Sequence, residues 1–172
     1  MSTLSKLEIE NLLKLLEEKL KAKAAVGEVY LVGGAVMCLV FNARPATKDI
    51  DAYFKPSQLV RELSKEIAEE RDLDPSWLND AVKGYLSDKG RYNTYLELPS
   101  LKIFVASPEY LLAMKCLALR IGAEFSDEND IRYLLRYLNI EKYEDAIHII
   151  TQYYPLEKFP QKTLYGLEEI LK

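Results

Sequence analysis

The chain has 172 residues, of which 49% are hydrophobic and 29% charged, and its formal net charge is −4 at pH 7. This composition is typical of a globular protein with one buried core, and it excludes a chain that is basic overall, although a local basic patch remains compatible with it. The longest apolar run, from Val29 to Phe41, is too short to span a bilayer, and no N-terminal stretch resembles a signal peptide. We therefore expect a cytoplasmic protein with no membrane partner.

The predicted elements form an α/β segment followed by a helical segment. Ser5 and Glu8 have the spacing of a capping box and begin a predicted amphipathic helix. Predicted strands cover residues 28–32, 48–54, 92–98 and 101–106, and predicted helices cover 35–42, 58–70 and a short segment after Asp74-Pro75. Ser107-Pro108 begins a run of helices at about 108–122, 127–138, 141–152 and 161–171. The sequence thus predicts a mixed α/β core in residues 1–106 and a helical part in residues 107–172.

Three residues with reactive side chains are expected to be structural. Cys38 and Cys116 both lie in apolar runs, so we expect reduced core residues rather than a disulfide. His148, the one histidine, lies in the apolar run from Ala146 to Ile150, and we expect it in the core or at its boundary rather than at a catalytic centre.

The segment from Leu31 to Phe54 contains the residues best suited to chemistry. An apolar strand leads into Gly33 and Gly34, and the next predicted strand carries Asp49 and Asp51. Because side chains alternate across a strand, both carboxylates are predicted to lie on one face, where they suit a hard cation such as Mg²⁺. A glycine turn that opens a helix offers backbone N–H groups to a phosphate. Together these features are typical of phosphoryl or nucleotidyl transfer.

Each of these features also has a purely structural interpretation. Gly33-Gly34 alone is equally consistent with a tight turn that binds no ligand, and Asp49 and Asp51 with a solvated strand face. The apolar residues that flank the two carboxylates favour a largely buried strand, however, where carboxylates without a cation are costly. We therefore favour the metal site.

Four segments, LVGGA, TKDIDAYF, SPEYLLAMKCLALR and SDENDIRYLL, carry a resemblance to a known superfamily. Their order resembles the DNA polymerase β-type nucleotidyltransferases, and within them the AbiEii-like toxin-type branch. The resemblance extends from about Val29 to Tyr153-Tyr154-Pro155. It implies a mixed sheet with flanking helices and a helical C-terminal part, and an enzyme that uses Mg²⁺ or Mn²⁺ and an NTP.

The resemblance also implies roles for individual residues. It matches Asp49 and Asp51 to the catalytic metal-binding pair. The residues that it assigns to nucleotide binding are Gly33, Gly34, Thr47, Lys48, Lys115, Arg120 and Asp130.

Some of these assignments have alternatives. Lys115 lies on an apolar helix, so it either extends to solvent or reaches into the site. Arg120 is five residues further along, about 140° around a helix, so both cations need not face the ligand. Asp127 and Asp130 match the family's acidic positions, but an acid in a first helical turn is also favoured by the helix dipole, which weakens the case for Asp127.

The predicted site lacks an obvious third carboxylate. Superfamily enzymes usually carry one on a neighbouring strand, and between residues 91 and 106 the one acidic residue is Glu97. We include Glu97 as a candidate catalytic residue, although its register relative to Asp49 and Asp51 cannot be read from the sequence.

Two functions are compatible with these residues, and the resemblance implies the first of them. The first is Mg²⁺-dependent transfer of a nucleoside monophosphate from an NTP to an RNA end, particularly tRNA, or to a protein hydroxyl, by a toxin with a cognate antitoxin. The alternative is a non-catalytic relative that binds proteins, for which tyrosine is a favourable interface residue. The tyrosines that motivate it are Tyr133, Tyr137, Tyr143, Tyr153, Tyr154 and Tyr165. The sequence leaves the oligomeric state open.

Overall fold

The computed structural model describes residues 3–119 and 127–172. They belong to two compact units, Met1–Gly84 with Tyr92–Ala106, and Tyr85–Arg91 with Ser107–Lys172. Arg120 lies outside the described residues, so its predicted role stays a prediction.

The first unit is a mixed α/β structure. Its elements are β1 (Leu4–Ser5), α1 (Lys6–Ala22), β2 (Gly27–Val32), α2 (Gly34–Leu39), β3 (Ala46–Thr47), β4 (Ile50–Lys55), α3 (Ser57–Arg71), β5 (Leu78–Asn79), β6 (Tyr92–Glu97) and β7 (Leu101–Ala106). A short 3₁₀ helix, Ala81–Tyr85, follows β5. The second unit is helical, with α4 (Pro108–Leu117), α5 (Asp127–Tyr137), α6 (Tyr143–Ile150), a 3₁₀ turn (Leu156–Lys158) and α7 (Gln161–Ile170).

The main sheet has five strands in the order β5-β4-β2-β7-β6. The central strand β2 runs antiparallel to β4 and parallel to β7, so the sheet is mixed, as predicted. One face is buried and packs on α1 and α3. The side chains of that face are Val29, Leu31, Ile50, Ala52, Phe54, Leu101, Ile103 and Val105. The other face carries the half-buried Tyr30, Tyr53 and Phe104.

Two predicted helix starts are confirmed. Ser5 Oγ accepts a hydrogen bond from the Glu8 backbone N–H at 3.2 Å, and the Ser5 N–H donates to the Glu8 carboxylate at 3.1 Å. This capping box begins α1, whose buried side includes Leu12 and Leu16. Ser107 caps α4, with a proline in the first helical turn.

The helix predicted after Asp74-Pro75 is wrong. The Asp74 carboxylate accepts hydrogen bonds from both the backbone N–H and the hydroxyl of Ser76, and the Trp77 N–H donates to the Asp74 carbonyl. The side chain therefore stabilises a turn instead of capping a helix. The buried Leu78 that follows begins β5, which pairs with β4 in parallel.

Three smaller expectations concern the remaining elements. Cys38 and Cys116 are buried free cysteines, as predicted. His148 is exposed on α6, so its predicted place in the core or at the core boundary is wrong. No helix among residues 3–119 and 127–172 is both long and apolar enough to cross a membrane.

Candidate functional site

The glycine turn after β2 is the centre of the candidate site. Gly33 has φ +68° and ψ −148°, a region of backbone space that is essentially restricted to glycine. A Cβ atom on Gly33 would lie 3.3 Å from Asp51 Oδ2. The turn thus brings bare backbone against a carboxylate. The α2 helix that follows covers only six residues, Gly34–Leu39, two fewer than predicted.

The predicted carboxylate pair lies at the start of β4. Asp51 is on the strand, paired in register with Val32, whereas Asp49 precedes the strand by one residue. Both are half-buried, while Ile50 between them is fully buried. This alternation agrees with two carboxylates on the same side of the chain. The strand therefore begins two residues later than predicted without changing the predicted arrangement.

Arg44 and Thr47 pack against the second glycine of the turn. A Cβ atom on Gly34 would lie 2.8 Å from Arg44 Nη1 and 2.9 Å from Thr47 Oγ1, so a larger residue would have to displace both side chains. Thr47 is buried, and its hydroxyl donates to the Asp49 carbonyl at 3.2 Å. Lys48, in contrast, is exposed.

Arg44 is the residue that sequence reasoning missed. It lies in the loop between α2 and β3, in the segment NARPATKDID, where a single arginine shortly before the carboxylate pair was the available signal. The guanidinium charge of Arg44 acts on Cys38 of α2. Burial raises the pKa of the Cys38 thiol, and the positive charge of Arg44 opposes that rise. The candidate site therefore combines the Arg44 cation, the Thr47 hydroxyl and the Asp51 carboxylate around bare backbone.

The carboxylates fit a metal ion that is shared with a substrate. Within the described ranges no three His, Cys, Asp or Glu side chains are grouped to hold a metal. Asp49 and Asp51 supply two carboxylates. Proteins commonly bind Mg²⁺ through one or two carboxylates, with phosphates and water completing the octahedron. The donor set therefore suits an ion that arrives with a polyphosphate.

The prediction of Glu97 as a third carboxylate is not supported by the sheet. Glu97 is exposed on the edge strand β6. Across the sheet it is in register with Lys102 of β7, Glu28 of β2 and Lys55 of β4. Asp51 lies three strands away and four residues nearer the other end of the sheet. With strands about 4.8 Å apart and a rise of about 3.3 Å per residue, the separation is about 19 Å. The two carboxylates cannot share a metal ion.

Lys115 forms a buried ion triad with two acidic residues of α5. Its ammonium lies 3.2 Å from Asp127 Oδ1 and 2.8 Å from Asp130 Oδ2. The side chains are 10%, 5% and 5% exposed, respectively, so Lys115 does not extend to solvent. Both acids lie in the first turn of α5 and both contact the ammonium, so the sequence-based preference for Asp130 over Asp127 does not appear in their contacts.

Comparison with known proteins gives one informative likeness. No known family model matches the sequence, and no curated protein matches it significantly. The chain is similar to a crystal structure of an antigenic nucleotidyltransferase-like protein from Paracoccidioides brasiliensis, with a TM-score of 0.50 and 17% identity over 96% of this chain and 95% of that chain. The likeness confirms the predicted fold class, and the assignment to the AbiEii-like branch stays a prediction.

Proposed function

We propose that this chain, which has a nucleotidyltransferase-like fold, is a cytoplasmic enzyme that transfers a nucleoside monophosphate from an NTP to a hydroxyl group. The observation that supports this most directly is the approach of Asp51, Arg44 and Thr47 to the Gly33-Gly34 turn. A polyphosphate needs close backbone, a cation and a metal site, and this turn has the residues for all three.

Each residue has a proposed task that its position supports. The bare Gly33-Gly34 backbone lets phosphate oxygens approach closely, and the Arg44 guanidinium, with the Thr47 hydroxyl beside it, neutralises charge on them. Asp49 and Asp51 would hold Mg²⁺ or Mn²⁺, which stabilises the charge of the transferring and leaving phosphates. Catalysis would be mostly positioning and electrostatics.

The other predicted residues have weaker support. Lys48 is exposed and is assigned to the triphosphate by its position in the sequence. The nucleotide-binding roles of Lys115, Arg120 and Asp130 rest on the resemblance alone. A phosphate that recruits Lys115 would compete with two carboxylates already in contact with its ammonium.

The acceptor is proposed from the resemblance. It implies an RNA end, particularly that of tRNA, or a protein hydroxyl, in a toxin that is neutralised by a cognate antitoxin. Since Glu97 is too distant from Asp51 to activate a hydroxyl there, the proposed mechanism assigns no general base to it.

A transfer assay tests the proposal. The protein is incubated with each labelled NTP, Mg²⁺ or Mn²⁺, and total RNA or cell lysate. We expect label on a macromolecule, with a loss of about two orders of magnitude or more for Asp51→Asn, because a charged metal ligand is removed. Asp72→Asn is the matched control, since Asp72 is exposed at a left-handed helix end that asparagine adopts readily. Absence of both transfer and metal-dependent NTP binding would overturn the proposal.

A protein-binding module is the second candidate function. Tyr137 and Tyr165 are 54% and 65% exposed on the second unit, as expected for interface residues, whereas Tyr153 and Tyr154 are buried and serve its core. Light scattering or native mass spectrometry separates the two functions. A strict monomer with nucleotide affinity would rule out the non-catalytic module.

A further inference from the structure

A row of aromatic rings crosses the face of the first unit's sheet that lies opposite α1 and α3. Tyr53 of β4, Tyr30 of β2 and Phe104 of β7 are cross-strand neighbours. The rings of Tyr30 and Phe104 stack with centroids 4.6 Å apart and planes inclined by 11°, and the Tyr53 ring lies 5.8 Å from that of Tyr30. We call these three rings the aromatic row.

The inner ring of the row is fixed in place. The Tyr30 hydroxyl donates to the Glu28 carboxylate at 2.9 Å, and the ring of Tyr92 meets that of Tyr30 edge-on at 5.1 Å. The Tyr30 ring lies between the rings of Phe104 and Tyr53 and contacts both. The row is therefore a rigid surface, and little ordering is needed when a flat ligand binds to it.

The outer ring of the row lies at an open edge. On the side of β4 away from β2, the partner strand β5 pairs with Ile50 and Asp51 only. Within the described residues no strand pairs with that side of β4 from Ala52 onward. Tyr53 is half-buried there, with the Lys55 ammonium 5.7 Å from the centroids of both tyrosine rings.

Tyr53 and Asp51 lie on the same face of β4, two residues apart. That spacing separates their positions by about 7 Å along the strand. A ligand whose phosphates lie at the Gly33-Gly34 turn beside Asp51 therefore has the Tyr53 ring next to it on the same surface, with Lys55 two residues beyond that ring. An aromatic ring one side-chain position away from a phosphate site is suited to stack against the base of a bound nucleotide.

We propose that Tyr53, supported by Tyr30, stacks against the base of the nucleotide whose phosphates bind at the Gly33-Gly34 turn. This inference rests on the proposed function and adds to it a base subsite. Every base has a π face that can stack on a tyrosine ring, so this subsite accepts any of the four bases with only a modest preference. Base selection, where present, comes from other contacts.

The test compares a ligand that has a base with one that has none. Binding of ATP and of inorganic tripolyphosphate is measured by calorimetry with Mg²⁺, for the wild type, Tyr53→Ala and Tyr53→Phe. We expect Tyr53→Ala to weaken ATP binding about 5- to 150-fold, the range of one base–aromatic stack. Tripolyphosphate binding should not change, and Tyr53→Phe, which keeps the ring, should bind both ligands as the wild type does.

Controls make each outcome informative. Tyr137→Ala, which removes an exposed tyrosine of the second unit, should leave both affinities unchanged. If circular dichroism shows that Tyr53→Ala does not fold, Tyr53→Leu replaces it, since leucine keeps apolar bulk but has no ring. Equal losses for ATP and tripolyphosphate, or no loss for ATP, would each overturn the base subsite. If the wild type binds neither polyphosphate, the proposed function fails first, and this inference falls with it.

Discussion

Removal of the Lys115 ammonium should destabilise the protein strongly. Asp127 and Asp130 both contact the ammonium, and all three side chains are 10% exposed or less. Lys115→Met keeps most of the apolar stem but leaves two buried carboxylates without this cation. Breaking a buried ion pair by removing one partner costs about 3–5 kcal/mol. We expect a loss in that range for the free energy of unfolding at pH 7.

The free energy of unfolding is measured by urea denaturation, which is monitored by circular dichroism. Lys172→Met is the matched control, because its ion pair with Glu169 spans 3.6 Å and both side chains are more than 70% exposed, so no measurable change is expected. Adding Asp130→Asn to Lys115→Met should recover part of the loss, since one buried charge is removed. A loss below about 1 kcal/mol for Lys115→Met would refute the buried triad, because only exposed pairs contribute so little.

The same variant separates a structural role of Lys115 from a nucleotide-binding role. The resemblance assigns Lys115 to nucleotide binding, and on that assignment its loss should weaken NTP binding more than it weakens folding. The triad predicts a large effect on folding whatever the ligand does. Calorimetry with Mg-ATP in urea-free buffer at pH 7, on Lys115→Met protein that is shown to be folded, distinguishes the structural role from the nucleotide-binding role. An unchanged affinity for Mg-ATP would remove Lys115 from the nucleotide site.

Three further predictions concern backbone and pH. Gly33→Ala should cost about 1–3 kcal/mol of stability in urea unfolding because of its φ of +68°, and an unchanged midpoint would contradict the strained turn. Gly90→Ala would place a Cβ atom 2.5 Å from the Tyr110 ring and should cost about 1–3 kcal/mol, whereas Gly84→Ala, which has open space around it, should not. Burial raises the pKa of Tyr30 from 10.0 to about 12, so the stability it contributes is present below pH 10 and is lost as pH rises toward 12. Tyr30→Phe should therefore lose less stability than the wild type as pH rises from 10 toward 12, and parallel losses would contradict this assignment.

The sequence by itself determined the features that consecutive residues encode. The capping box of Ser5 and Glu8 and the Ser107-Pro108 start are local hydrogen-bonding and backbone preferences, so they were predicted correctly. The alternation around Asp51 was predictable for the same reason, because a buried sheet face imposes a period of two on its strand. The mixed α/β class followed from the order of such elements.

The tertiary structure decided which distant residues meet. Glu97 was separated from Asp51 by strand order and register, which depend on pairing between segments far apart in the chain. Arg44 reached the glycine turn through the path of a loop with no periodic pattern. Lys115 could have extended to solvent, and only the packing of α5 on α4 showed that two carboxylates enclose it. Each of these outcomes depends on contacts between residues that are far apart in the chain. A short segment does not contain both partners of such a contact, so no local sequence pattern predicts it.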